Sequence, residues 1–180
     1  MSNPSSSLSA LAQTVTTEFQ NTYREAEALS GGWMPDDGNY QVWLTGINVT
    51  DDLTFGLTDD RNGPSVPAFG ISFTCQMQDD PASGREARSF KTPLEVFPRN
   101  PAAVSDPKRA KALKTKMGIM KGKAQIILGR DCGDFVGDLL AIEKLIADGS
   151  SPDGNGPPLV EVQVKTSGKY TNVYVNKRVS

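Results

Sequence analysis

Nine basic residues between Val96 and Arg130 (Arg99, Lys108, Arg109, Lys111, Lys114, Lys116, Lys121, Lys123 and Arg130) face a single acid, Asp106. The rest of the chain holds ten basic and twenty acidic residues, so a local balance of +8 stands in a background of −10. Crowded like charges repel, and a chain tolerates that cost where it holds an anion. A phosphate backbone is the first candidate, because Lys and Arg neutralise phosphates and release their counterions. A solvated helix face is the plain alternative, but such faces usually mix signs and this one does not.

Aromatic side chains near cations supply the other half of that chemistry. Trp43 lies between Val42 and Leu44, Tyr174 lies between Val173 and Val175, and Phe90 lies between Arg88 and Lys91. Alternation turns Trp43 and Tyr174 away from their apolar neighbours, where an aromatic face stacks on a base for about 1–3 kcal/mol. The candidate nucleic-acid-binding set is therefore Trp43, Arg88, Phe90, Lys91, Lys111, Lys114, Lys116, Lys121, Lys123, Lys165, Lys169 and Tyr174. Two members have a purely structural alternative: a helix or loop covers Trp43, or Phe90 faces the core of a twisted strand.

Catalytic chemistry finds little support. The chain has no histidine, which removes His-based triads, His general bases and nearly every zinc site that mixes Cys with His. The pairs Asp36-Asp37, Asp51-Asp52, Asp59-Asp60 and Asp79-Asp80 have the chemistry to hold Mg²⁺, yet all fall at turn or loop positions that favour Asp for conformational reasons. No Glu-x-Lys nuclease pattern, P-loop or dinucleotide-binding glycine motif occurs. No catalytic residue, metal or cofactor is assigned, and the chain is expected not to be an enzyme.

These residues need a scaffold, and 180 residues suffice for one domain with an extension. No apolar run approaches the roughly 18–20 residues of a membrane span. Met1 to Ser9 lacks the basic start and apolar segment of a secretory signal, so the expected location is the cytoplasm. In that setting Cys75 and Cys132 are expected to be reduced core residues. Residues 1–7 are Ser-rich and read as disordered. Leu8, Leu11, Val15, Phe19, Tyr23 and Ala26 then make one apolar stripe, which predicts an amphipathic helix within an extension over 8–32.

Period-two alternation predicts a first strand from Tyr40 to Val49, the Asp-, Gly- and Pro-rich run from Asp51 to Val66 reads as a long loop, and a second strand over Phe69 to Met77 and a third over Arg85 to Phe97, limited by Pro93, follow. The pattern then becomes helical. Leu113, Met117, Met120, Ala124 and Ile127 share a stripe, with Lys114 and Lys121 on one border and Lys116 and Lys123 on the other. Gly118 and Gly122 lie opposite, and a break near Gly118 competes with a continuous helix. A second helix starts after Asp134 and ends near Gly149, a Gly/Pro/Ser-rich linker runs to Pro158, and two strands around Val160–Val164 and Val173–Val175 finish the chain. Three strands, helices, then two strands predict a mainly β five-stranded antiparallel OB-fold barrel over 33–180, with helices between strands three and four.

Several blocks strengthen that reading. Gly32-Trp33-Met34-Pro35-Asp36-Asp37-Gly38-Asn39-Tyr40-Gln41-Val42, the strand from Phe69 to Met77, Lys111-Ala112-Leu113-Lys114-Thr115-Lys116-Met117-Gly118-Ile119-Met120-Lys121-Gly122, and Tyr170-Thr171-Asn172-Val173-Tyr174-Val175-Asn176 resemble phage- and prophage-encoded OB-fold single-stranded-DNA-binding proteins. The resemblance covers about residues 33 to 178. It implies a protein that coats single-stranded DNA, largely without sequence preference, during phage replication or recombination, with replication or recombination proteins as partners. Such proteins often end in an acidic recruiting tail, whereas this sequence ends Asn176-Lys177-Arg178-Val179-Ser180. RNA as the bound strand and a second copy of the chain are the other partners considered, and no membrane is expected. The competing function is a phage assembly module that oligomerises through the barrel and the N-terminal helix; a Mg²⁺-dependent nuclease is the weakest of the three.

Overall fold

In the computed structural model, which describes residues 33–78, 88–148 and 156–179, Val42 and Leu44 are buried and Trp43 between them is half-buried on the opposite face. That alternation builds β1 (Gly38–Gly56), the central strand. It pairs antiparallel with β2 (Ser65–Met77) along one edge, from Val42 opposite Met77 to Gly56 opposite Ser65. Its first residues pair along the other edge with β5 (Leu159–Ser167), Val42 lying opposite Val160. The N-terminal stretch 1–32, the turn expected at 79–84 and most of the linker expected at 149–158 lie outside the described residues.

β1 is longer than its alternation suggests. The register shifts between Thr50 and Leu53, where Asp52 adopts φ 60, a left-handed conformation that Asp tolerates better than most residues. This bulge resets the inward face and lets the strand continue to Gly56. The expected loop from Asp51 to Val66 is thereby reduced to the short connection between Gly56 and Ser65.

The expected third strand is two strands. β3 (Ser89–Lys91) pairs with Gln76 to Thr74 of β2, and β4 (Glu95–Pro98) pairs with Ile71 to Ala68. Pro93 has no N–H for a ladder, which interrupts the edge. Thr92 pins the crossing: its N–H donates to the Phe73 carbonyl and its Oγ1 accepts from the Phe73 N–H, at 2.8 and 2.9 Å. Gly70 makes room for it, since a Cβ there would stand 2.7 Å from Leu94 Cδ1.

Asp106 caps α1 (Pro107–Leu128), its carboxylate accepting from the Arg109 N–H at 2.8 Å, and Gly129 at φ 65 ends the helix. The helix runs unbroken through Gly118 and Gly122, where an added Cβ would meet nothing within 4 Å. Burial of Leu113, Met120, Ala124 and Ile127 on the facing stripe compensates for two weak helix formers. Asp134 caps α2 (Phe135–Ala147) through the Gly137 N–H, as the sequence suggests. Phe69, Phe97 and Phe135 meet with ring centroids 5.7–5.9 Å apart, tying α2 to β2 and β4. A tight turn at Gly168, φ 61, joins β5 to β6 (Tyr170–Arg178).

The sheet order is β3-β2-β1-β5-β6, with β4 also on β2, and all pairs are antiparallel. Among the described residues no pairing joins β6 to β3 or β4, so the expected five-stranded closed barrel is instead an open six-stranded sheet with two helices. α1 reaches both free margins. Lys116 Nζ donates to the Val96 carbonyl on β4 at 3.4 Å, and Arg178 on β6 donates to the Ile127 carbonyl at 3.0 Å. No helix among the described residues is long and apolar enough to cross a membrane.

Candidate nucleic-acid interface

Residues three and four apart on a helix share a face, and Lys108, Lys111, Ala112, Thr115, Lys116, Ile119 and Lys123 make one such stripe on α1. It forms one wall of a groove of about 610 Å³, completed by Pro93 to Glu95 and by Asn172 to Tyr174. Among the described residues Glu95 is its only acid. Tyr174 stands 42% exposed, as alternation with buried Val173 requires, while Ile119 offers a 47% exposed apolar surface on α1.

The nine cations of the basic stretch divide by partner. Arg99 pairs with Asp51 at 2.7 Å, Arg109 with Asp59 at 2.5 Å, Arg130 with Asp138 at 3.0 Å, and Lys123 with Glu95. Lys108, Lys111, Lys114, Lys116 and Lys121 have no carboxylate partner among the described residues. Free charge thus concentrates on lysines, and Lys108, Lys111 and Lys116 deliver theirs into the groove.

Of the residues proposed from sequence, Lys111, Lys116, Lys123 and Tyr174 come together in this groove. Lys114 and Lys121 are exposed on the other border of α1 and do not line it. Lys165 is exposed on β5 directly opposite Asn172, at the groove's margin, and Lys169 sits in the hairpin turn with its ammonium 5.5 Å from the Tyr170 ring centroid. Trp43 and Lys91 belong to a different surface, the outward face of β1, β2 and β3: Trp43 lies opposite Gln76, Gln76 opposite Ser89, and Lys91 opposite Thr74. Arg88, just before β3, accepts the Met77 N–H at its carbonyl and does not line the groove.

Two of these residues are buried. Phe90 is 3% exposed and packs in the core with Cys75 opposite it, because the β3 pairing turns it inward. It offers no face to a base. Lys123 is 8% exposed and engaged by Glu95, so its charge is matched in the free protein. Sequence reasoning also left Lys108 out of the binding set, though it precedes Lys111 by three residues and a helical wheel places both on one face. Trp33, 42% exposed with the Arg88 guanidinium 5.2 Å from its ring centroid, is a further aromatic that no periodicity singled out.

Three of the four acidic pairs contribute to the scaffold, and Asp79-Asp80 lies outside the described residues. Asp37 accepts from the Thr166 N–H, Asp60 accepts from the Asn62 N–H, and Asp51 and Asp59 hold arginines. Among the described residues no three His, Cys, Asp or Glu side chains gather as a metal cluster. Cys75 and Cys132 are free and buried; burial pushes the Cys75 thiol up to about 12 from the ordinary 9.0 and also raises that of Cys132. Neither is poised as a nucleophile. No known family model, curated protein or solved structure matches this chain.

Proposed function

We propose that this domain binds single-stranded nucleic acid, with single-stranded DNA as the ligand and RNA as the alternative strand, without catalysis and largely without sequence preference. The observation that carries the reading is the convergence of Lys108, Lys111 and Lys116 with exposed Tyr174 on one groove whose one acid among the described residues, Glu95, is already paired. Phosphates would lie along the lysines of α1 and a base would stack on Tyr174.

The strand pairing supports an OB-like reading in outline. β1 pairs with both β2 and β5, and β5 with β6, as in a Greek-key barrel left open at one seam. A cytoplasmic role in phage replication or recombination, with proteins of those modules as partners, extends the same proposal. A labelled oligothymidine titrated by anisotropy at two salt concentrations, with duplex as competitor, tests it. Binding that weakens steeply with salt and resists duplex competition supports it; equal preference for duplex, or no binding at low salt, rejects it.

One observation favours the assembly reading. Val49, Val136 and Leu140 are 59%, 63% and 57% exposed around a second groove of about 500 Å³. Exposed apolar clusters of this kind mark interaction surfaces. Under that reading Leu140→Glu changes the solution mass and leaves oligonucleotide binding untouched.

A further inference from the structure

Among the described residues Glu95 is the single acid on the wall of the cationic groove, and its two carboxylate oxygens have different surroundings. Oε1 pairs with Nζ of Lys123, a side chain only 9% exposed. Oε2 is buried and accepts no hydrogen bond among the described residues. At the next position of β4, the Val96 carbonyl holds the ammonium of Lys116 at 3.4 Å. Two ammonium groups, seven residues apart on one face of α1, thus stand at successive residues of β4 with a carboxylate at one of them. A carboxylate oxygen offers a lysine the same anionic acceptor as a non-bridging phosphate oxygen.

We propose that Lys123 and Lys116 form a phosphate subsite of the groove and that Glu95 is its resident anion, limiting how tightly the groove holds a nucleic-acid backbone. This rests on reading the groove as the strand-binding site. The carboxylate cancels the charge of Lys123 in the free protein and repels an incoming phosphate. A strand must therefore bind largely through Lys108, Lys111 and Lys116 while the Lys123 charge stays engaged.

Glu95→Gln keeps the shape and an acceptor oxygen for Lys123 and removes only the charge. Anisotropy with a labelled oligothymidine over a salt series should show tighter binding, by about threefold or more at low salt, and a log K against log salt slope steeper by about 0.7, the increment for one added single-strand phosphate contact. Unchanged affinity with an unchanged slope overturns the proposal. Should Glu95→Gln fail to fold, Lys123→Gln is compared with the double variant Glu95→Gln/Lys123→Gln. Lys123→Gln leaves the carboxylate uncompensated and should bind more weakly than wild type, and the double variant should recover. Equal binding by these two variants overturns the proposal. Wild-type protein that binds no oligothymidine at low salt rejects the strand-binding reading itself, and this inference with it. Wild-type binding without any response to Glu95 rejects this inference alone.

Discussion

The ammonium of Lys116 reaches the carbonyl of Val96 at 3.4 Å, joining α1 to β4 at the margin where, among the described residues, no strand pair closes the sheet. The same side chain lies 6.0 Å from the Phe97 ring centroid and lines the groove. Lys116 therefore has both a structural and an electrostatic role. The neighbouring lysines separate those roles, because Lys108 and Lys111 line the groove and form no ion pair among the described residues.

Lys108→Ala and Lys111→Ala should each weaken oligothymidine binding and flatten the salt slope by about 0.7. Lys114→Ala and Lys121→Ala, on the other border of α1, should leave the slope nearly unchanged, because exposed charges beyond a Debye length of about 8–10 Å are screened at ordinary salt. Titration of the four variants over the same salt series checks this. A larger effect at Lys114 and Lys121 would place the strand on the opposite side of the helix.

Tyr174 and Phe90 separate binding from folding. Tyr174→Ala should cost about 1–3 kcal/mol of oligonucleotide binding through lost stacking and shift stability by less than about 0.5 kcal/mol. Phe90→Ala should destabilise the fold by about 3–5 kcal/mol, since it empties a core position. Urea unfolding and anisotropy on both variants test the contrast, and a stable Phe90→Ala protein with impaired binding would return Phe90 to the surface.

The contrast also marks how far the sequence could be read. Alternation in β1, β5 and β6 and the stripe of α1 follow from side-chain period alone, so the mainly β fold and its two internal helices were legible. The closure of the barrel was not, because pairing between distant edges leaves no local pattern. The Asp-, Gly- and Pro-rich composition from Asp51 to Val66 hid the second half of β1, because residues typical of loops here occupy a strand that continues through a bulge at Asp52. Phe90 misled because Arg88 and Lys91 flank it, while the register of β3 on β2 decides its face. Lys123 was legible as a border lysine, but its partner Glu95 lies 28 residues away in sequence.

Gly118 and Gly122 face open space on α1. Replacing either with Ala should stabilise the protein by about 1 kcal/mol, because Ala has the greater helix propensity and nothing obstructs its methyl group. Gly70→Ala should do the opposite, since its Cβ would stand 2.7 Å from Leu94. Thermal melts of the three variants read out the sign. Destabilisation by Gly118→Ala would indicate that this face packs against something.

Burial holds the Cys75 thiol up at about 12 from the ordinary 9.0, with Lys123 pulling in the other direction. A folded-state pKa above the unfolded value gives a contribution that is complete below the unfolded pKa and is lost as pH rises through the folded one. Stability should accordingly decline between about pH 9.0 and 12 as the unfolded chain releases its thiol proton first. Urea unfolding across this window should show a shallower decline in Cys75→Ala than in wild type. Identical slopes would mean that Cys75 titrates alike in both states.

Lysine acetylation with and without bound oligothymidine, read residue by residue by mass spectrometry, tests the groove assignment most directly. The groove reading predicts that the strand protects Lys108 and Lys111 while Lys114 and Lys121 stay reactive. Protection of Lys114 and Lys121 with Lys108 and Lys111 still reactive, or no protection under saturating conditions, would contradict it.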